Sequence, residues 1–209
     1  MALGQLGYAE PKFGHGRIIS KPPHSPPLFW HEDGRFWNDP VSYTAQPIQV
    51  FLMYYLTDTT PENGCLRVIP GSHLNRHRLH DEISPHHTDE LRTFADPNDP
   101  GFSRVDDEID VPVKAGDMVI GYERLLHASH ANDSDLRRTV LTMWYYPDYV
   151  NLPERTQATV ATSEKLSPVP PVAEQIPELE GLEAEREHCG HNGTTRVWRS
   201  CHSLINPSD

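Results

Sequence analysis

Twenty prolines are distributed along the 209 residues of this chain, about twice the share found in an average protein. Proline removes a backbone donor and interrupts helices, which argues against a tightly helical architecture. The apolar runs that lie between the prolines are short. One of them, Ile48 to Leu56, reads IQVFLMYYL and is bounded by a proline and by TDTTPENG. Its length and its aromatic and β-branched residues predict a buried strand.

Further short runs follow this strand and are separated by turn signals. Cys65 to Ile69 comes after the turn pair Asn63-Gly64, so we predict that it is the antiparallel neighbour of the 48–56 strand. Strands are also predicted at 111–113, 118–122 and 139–146. Many short strands joined by turns predict a mainly β fold, such as a sandwich, a barrel or a jelly roll, with few short helices.

The remaining segments carry weaker signals. Residues 1–27 are rich in glycine and proline, so regular structure is expected to begin near Leu28, apart from a short extended candidate at 17–21. Residues 73–107 form a long polar excursion, with a short helix predicted at 88–95. We therefore predict one domain over 1–150. A Pro-rich linker, a short acidic helix at 173–187 and an irregular polar tail are predicted over 151–209.

The charge and cysteine content limit the partners and the location. Acidic residues outnumber basic residues by 30 to 18, and the formal net charge of -12 would repel nucleic acid or an anionic lipid surface. No stretch approaches the roughly 18 apolar residues of a membrane helix, and the N-terminus lacks a secretory pattern. Three cysteines do not suit a disulfide framework, so a reducing, cytoplasmic location is expected. The sequence leaves the oligomeric state open, with a monomer as the working expectation.

The triplet His31-Glu32-Asp33 is the first candidate for a functional site. If residues 29–33 are extended, side chains two apart face the same side, so His31 and Asp33 converge and Glu32 points away. An imidazole and a carboxylate are two of the three ligands that a non-haem Fe(II) centre requires. Alone, the triplet is a weak signal, because a chain with 13 histidines contains such triplets by chance.

The segment 116–138 can supply the third ligand. His127 lies at the end of a predicted strand, and Arg138 follows 11 residues later (138 − 127). That spacing can place the guanidinium on the neighbouring strand, facing the same cavity, where it could hold the distal carboxylate of a dicarboxylate. Ser129 could add a hydroxyl donor.

Four motifs in this order resemble the phytanoyl-CoA dioxygenase (PhyH-like) family of Fe(II)- and 2-oxoglutarate-dependent oxygenases: KPPHS, WHED, PENGCLRVIPGSH, and GD followed by HASHANDSDLRR and WYY. The resemblance extends from about Arg17 to Tyr146. It implies a double-stranded β-helix, or jelly roll, and hydroxylation of a small organic molecule with O2, releasing succinate and CO2. It also implies the roles of the site residues: His31, Asp33 and His127 as catalytic iron ligands, and Arg138 and Ser129 as contacts of the 2-oxoglutarate C5 carboxylate.

The sequence departs from the family pattern in three places. Glu32 stands where the family often has glutamine, and Ala128 stands where glycine is commonest. Only 30 residues precede His31, whereas relatives carry a long N-terminal region that helps to form the substrate pocket. A catalytically silent metal-binding or interaction module is therefore the alternative function. A hydrolytic zinc centre is a third option, which would leave Arg138 without a use.

Several residues compete with these assignments. Arg137 rivals Arg138, but adjacent strand residues face opposite sides, and we expect Arg137 to pair in solvent with Asp133 or Asp135. His130 rivals His127 and is expected at the surface or the pocket rim. A second HxD triplet, His87-Thr88-Asp89, lies in a polar loop and is expected to be solvated. Aromatic residues near the first triplet and in the 48–56 strand are expected to pack in the core: Trp30, Phe36, Trp37 and Tyr54.

The C-terminal tail contains Cys189, His191, Cys201 and His202. Their spacing matches no usual zinc finger, so we expect a tail without zinc.

Overall fold

The structure is a computed structural model that describes residues 2–34, 44–83, 88–163 and 199–200. Two compact units are distinguished, Met1–Leu152 together with Trp198–Asp209, and Pro153–Val197. The second unit contains one described helix. The strands, in chain order, are β1 Lys12–Lys21, β2 Leu28–His31, β3 Val50–Tyr55, β4 Leu66–Val68, β5 Ile109–Val111, β6 Met118–Tyr122, β7 His127–Ser129, β8 Arg138–Tyr146 and β9 Arg199–Ser200, and the helices are α1 Ala2–Gln5, α2 Leu79–Glu82, α3 Asp89–Arg92 and α4 Glu154–Ser163.

The strands form two sheets. The larger sheet has the order β1-β8-β3-β6-β9, and the smaller sheet has the order β2-β7-β4-β5. All pairings are antiparallel except the short one between β6 and β9. The eight strands β1 to β8 are thus shared equally by two antiparallel sheets, which is a jelly roll. The predicted fold class is confirmed.

The core lies between the two sheets. Phe51 and Tyr55 of the larger sheet pack with Leu66, Val68 and Val111 of the smaller sheet in one buried cluster. The burial pattern of β8 shows why the core lies there: every second residue along this strand is buried, and the residues between are half-buried. That alternation turns one side of β8 towards the opposite sheet. A second cluster, which includes Trp30, Leu79 and Leu91, packs on the other side of the smaller sheet.

Two predictions about the early strands are wrong. Regular structure begins well before Leu28, because β1 starts at Lys12 and pairs with β8 along its length. The run after Asn63-Gly64 does not pair with the 48–56 strand. Strand β3 pairs with β6 and β8, whereas β4 pairs with β5 and β7 in the other sheet. Gly64 does adopt a positive φ of 90°, so the turn exists, but it directs the chain across the core and not into a hairpin.

Other predictions agree with the structure or lie outside it. The predicted strands 118–122 and 139–146 correspond to β6 and β8, and the predicted helix at 88–95 contains α3. Thr88 caps α3 by accepting a hydrogen bond from the Leu91 backbone amide. The predicted acidic helix 173–187 and the polar tail lie outside the described residues. Within the described residues, no helix is both long and apolar enough to cross a bilayer.

Gly121 of β6 pairs with Phe51 of β3, and a Cβ added at position 121 would overlap the Phe51 ring. That ring is fully buried and lies 4.9 Å, centroid to centroid, from the imidazole of His127. We expect Gly121→Ala to lower the free energy of unfolding by about 1–3 kcal/mol through overpacking, measured by urea unfolding. Gly4→Ala in α1 is the control, because its Cβ meets no atom within 4 Å. Equal stability of the two variants would contradict this packing.

Candidate functional site

The pairing of β2 with β7 places His31 directly opposite His127. Strand β2 ends at His31, and the chain then turns under the end of β6. Glu123 holds that turn, because its carbonyl oxygen accepts hydrogen bonds from the amides of Asp33 at 2.8 Å and Gly34 at 3.2 Å. The turn brings the Asp33 carboxylate to the two imidazoles.

The side chains of His31, Asp33 and His127 form one cluster, which we call the triad. Its three ligand atoms lie within 4.8 Å of one another. Nε2 of His31 is 3.7 Å from one carboxylate oxygen of Asp33, and Nε2 of His127 is 3.8 Å from the other. Both imidazoles are buried, and the Asp33 side chain is 12% exposed. The structure therefore brings together the three residues that the sequence singled out from two distant segments.

Hydrogen bonds fix the tautomer of each imidazole. Nδ1 of His31 lies 2.9 Å from the carbonyl oxygen of Phe29, and Nδ1 of His127 lies 2.9 Å from that of Leu125. A carbonyl can only accept, so Nδ1 carries the proton and the lone pair is on Nε2, the atom that faces Asp33. This is the arrangement in which histidine binds a metal. Two imidazoles and one carboxylate on one side of an ion suit a divalent transition metal with open coordination positions.

Trp144 contacts the triad, a role that the sequence analysis did not predict. Its Nε1 donates a 2.7 Å hydrogen bond to Oδ2 of Asp33, which orients the carboxylate. The Trp144 ring stacks on His15 with centroids 4.4 Å apart. A signal for this role was available, because Trp144 lies six residues after Arg138 on the same side of β8.

A cavity of about 290 Å³ adjoins the triad. Arg138 and Ser129 also line it, as the sequence predicted, and both are buried. Nη2 of Arg138 donates a 2.6 Å hydrogen bond to the carbonyl of Gly64, while its Nε has no hydrogen-bond partner among the described residues. Arg137 is exposed and donates to the hydroxyl of Ser20, so neither predicted aspartate is its hydrogen-bond acceptor in this structure.

Lys21 is a second buried cation in this cavity, and sequence reasoning did not identify it. It is the register partner of Arg138 across β1 and β8. Its Nζ donates to the carbonyl of Pro26 at 2.7 Å and lies 3.4 Å from Oγ of Ser129. Burial, and then the charge of Arg138, lower the pKa of Lys21 from 10.5 to about 8. Its position was readable from β1, where Ile19 also faces the core and Ile18 is exposed.

The two cations define the chemistry of this end of the cavity. Neither Lys21 nor Arg138 forms an ion pair with a carboxylate among the described residues. Burying two positive charges without an anion raises the free energy of the folded state, and the repulsion between the two charges raises it further. A bound carboxylate would relieve both, since it could accept hydrogen bonds from Nζ, the guanidinium and Ser129 together. The cavity therefore combines three side chains that could hold a metal with two cations that could bind an anion.

The rival residues lie elsewhere. Glu32 points away from the triad, and its carboxylate lies 3.0 Å from Nε2 of His80. His130 lies 2.5 Å from Asp110 and does not line the cavity. Trp30 is fully buried in the core, whereas Tyr54 is 36% exposed. Phe36, Trp37, His87 and the histidines and cysteines from Cys189 onwards lie outside the described residues.

Comparison with known proteins places this site in a family. The family model described as phytanoyl-CoA dioxygenase (PhyH) matches residues 2–140. Phytanoyl-CoA dioxygenase 1 of Oryza sativa subsp. japonica is 34% identical over 117 residues, which cover 54% of this chain and 36% of that protein. L-proline trans-4-hydroxylase of Streptomyces griseoviridis is 32% identical over 129 residues, covering 56% of this chain and 47% of that protein. This chain thus spans less than half the length of either relative.

Solved structures give weaker likenesses. AviO1 from Streptomyces viridochromogenes Tue57 is 24% identical with a TM-score of 0.49, covering 72% of this chain and 57% of that one. The non-heme alpha ketoglutarate dependent carbocyclase SnoK from nogalamycin biosynthesis is 27% identical with a TM-score of 0.48, covering 68% and 52%. The match of the family model over most of the jelly roll is the decisive finding. This chain belongs to the phytanoyl-CoA dioxygenase (PhyH) family.

Proposed function

We propose that this chain is an Fe(II)- and 2-oxoglutarate-dependent dioxygenase that hydroxylates a small organic molecule and releases succinate and CO2. The observation that carries the proposal is one cavity that joins the triad to the two buried cations. A metal-ligand set alone would suit several reactions. The added anion site suits a cosubstrate that binds a metal at one end and presents a carboxylate at the other.

His31, Asp33 and His127 would hold the iron, and the residues present fit it. Both Nε2 atoms carry lone pairs, and the carboxylate is oriented by Trp144. Bound Fe(II) would supply the activation of O2 that the side chains of a protein cannot perform. Three protein ligands leave positions for 2-oxoglutarate and O2.

Lys21, Arg138 and Ser129 would hold the distal carboxylate of 2-oxoglutarate. The Nε of Arg138 is buried without a hydrogen-bond partner among the described residues, so it can donate to an incoming carboxylate without first breaking a bond. Lys21 would add a second charge beside Ser129. Because Lys21 and Arg138 sit on the paired strands β1 and β8, and Ser129 on β7 of the facing sheet, the donors are in place before the cosubstrate arrives.

Apolar side chains form the rest of the cavity wall. Met53, Tyr55, Leu66 and Val140 all line it and are buried. They exclude water from the reacting centre, which protects reactive species and strengthens the electrostatic contacts of the two cations.

The relatives support a small-molecule substrate for this domain, proposed over residues 1–150. One is named L-proline trans-4-hydroxylase, and another, from Aspergillus calidoustus, is named iron/alpha-ketoglutarate-dependent dioxygenase ausU. The net charge of -12 argues against nucleic acid or an anionic membrane as a partner. We further propose a cytoplasmic location, because three cysteines do not suit a disulfide framework. A monomer is the working proposal for the oligomeric state.

The metal and the reaction are tested together with the metal-free chain. We expect Fe(II) and 2-oxoglutarate, mixed without oxygen, to give the metal-to-ligand absorption of the chelate, and air to give succinate. Asp33→Ala should lose both signals because a carboxylate ligand disappears, whereas Asp106→Ala, an exposed control, should keep both. The chelate without succinate over a broad substrate panel would favour the silent module. Restoration of activity by Zn(II) in place of Fe(II) would favour a hydrolase.

The anion site is tested by the adjacent arginines. We expect Arg138→Ala to weaken 2-oxoglutarate binding by about tenfold or more, since a charge-assisted contact of at least 1.4 kcal/mol is lost. Arg137→Ala is the matched control, because Arg137 is exposed and its contact is with Ser20. Titration of the chelate absorption with 2-oxoglutarate measures both. Equal affinities would move the carboxylate contact away from Arg138.

Lys21 makes the cosubstrate affinity depend on pH. The pKa of Lys21 in the metal-free cavity is lowered to about 8, so above that value the ammonium loses its proton and its attraction for a carboxylate. We expect the dissociation constant for 2-oxoglutarate to rise above pH 8 by up to roughly tenfold per pH unit. Lys21→Met should bind more weakly at pH 7 and lose this dependence. Lys12→Met, at the exposed start of β1, should keep it, and an unchanged pH profile in Lys21→Met would contradict the assignment.

A further inference from the structure

A second group of metal-ligating side chains lies apart from the triad. Cys65 directly precedes β4, Asp110 lies in β5, and His130 directly follows β7. Leu66 pairs with Ser129 across β4 and β7, and both line the cavity. Their neighbours Cys65 and His130 therefore face the other side of the smaller sheet. Asp110, opposite Arg67, completes the group from the third strand.

The three ligand atoms are close together. The Cys65 sulfur, an Asp110 carboxylate oxygen and an imidazole nitrogen of His130 all lie within 4.8 Å of one another. The backbone fixes two of the three residues, because the amide of His130 donates a 3.1 Å hydrogen bond to the carbonyl of Cys65. A thiolate, an imidazole and a carboxylate form a mixed donor set that suits Zn²⁺.

The burial of the ligands differs in a way that suits a bound ion. Cys65 is fully buried and is not in a disulfide, whereas the side chains of His130 and Asp110 are 16% and 29% exposed. The cluster is thus closed on the sulfur side and reachable from solvent on the other. A tetrahedral ion held by three protein ligands would keep its fourth position there for water.

The charges around the thiol also favour a cation. Asp110 and Glu62 are the anionic groups that act on Cys65, and Arg138 is the opposing cation. Burial, and then the negative charge of Asp110, raise the pKa of Cys65. A divalent ion would bind the thiolate and release the thiol proton to solvent, and it would replace the 2.5 Å contact between His130 and Asp110.

We propose that Cys65, Asp110 and His130 form a second metal site, for Zn²⁺, on the outer side of the smaller sheet. It is independent of the proposed reaction. The position of this metal site gives it a structural role, because Cys65 and His130 are the sequence neighbours of Leu66 and Ser129, which line the cavity. Cys65 follows Gly64, whose carbonyl accepts the Arg138 hydrogen bond, and His130 follows Ser129. Bound zinc would tie β4, β5 and β7 together behind the anion site.

Cobalt(II) titration of the metal-free full chain, without oxygen, tests this site, because a Co(II)–thiolate bond gives a near-ultraviolet charge-transfer band that nitrogen and oxygen ligands do not. The wild type should show this band, and two equivalents of Zn(II), one for each metal site, should abolish it. Asp33→Ala should retain it, since the triad has no sulfur. The double variant Cys189→Ser, Cys201→Ser should also retain it.

Variants of the ligands decide the assignment. Cys65→Ala should lose the band, and His130→Gln should weaken cobalt binding by at least roughly tenfold. If Cys65→Ala does not fold, His130→Gln still tests the site. The His130 side chain is partly exposed, so we expect this variant to fold, and circular dichroism can verify that it does. No band in the wild type would overturn the proposal. The proposal would also be overturned if folded Cys65→Ala kept the band, if the Cys189→Ser, Cys201→Ser variant lost it, or if His130→Gln bound cobalt as tightly as the wild type.

Discussion

The antiparallel pairing of β2 with β7 is the contact on which the site depends. It sets His31 opposite His127 at one end and Leu28 opposite Ser129 at the other. One pair of short strands therefore carries two of the proposed iron ligands and a residue of the proposed anion site. Residues so far apart in the chain meet only after a long loop has closed, which costs conformational entropy. Packing offsets this cost, because Phe29, Trp30, Leu126 and Ala128 of the same segments belong to one buried cluster.

The charge of the cavity is opposite to the charge of the chain. The whole sequence carries a net charge of -12, yet Lys21 and Arg138 are both buried beside the triad. Their proximity is unfavourable without an anion, since burial and mutual repulsion both act against the charged forms. A bound dicarboxylate would remove that penalty and stabilise the folded state by mass action. Local electrostatics, and not the sum over the chain, thus determine what this cavity can hold.

The sequence predicted the site better than the path of the chain. Strand alternation put His31 and Asp33 on one side of an extended segment, and spacing made Arg138 a candidate neighbour of His127. Their roles as iron ligands and cosubstrate contact came from the resemblance to the family. Pairing was harder. The Asn63-Gly64 signal indicated a turn but could not indicate which sheet the next strand joins. Only the second half of β1, residues 17–21, was predicted, because the glycines at 14 and 16 resemble a loop.

The residues that were missed depend on contacts between strands. Lys21 becomes a candidate site residue only because it pairs with Arg138 across β1 and β8. Trp144 becomes one only because it donates a hydrogen bond to the carboxylate of Asp33. The cluster of Cys65, Asp110 and His130 requires three strands in register. No period within a single segment contains that information, so only the assembled sheets could provide it.

The burial of every second residue in β8 links distant parts of the cavity. One strand carries Arg138 at its start and Trp144 six residues later, so a shift of β8 by one position would alter both ends at once. Arg137 would then replace Arg138 and preserve the cation, but Met143 would replace Trp144 and leave the Asp33 carboxylate without its indole donor. A register shift of β8 would therefore keep a cation at one end of the cavity and remove the support of the Asp33 carboxylate at the other, while turning the remaining buried side chains of the strand away from the core.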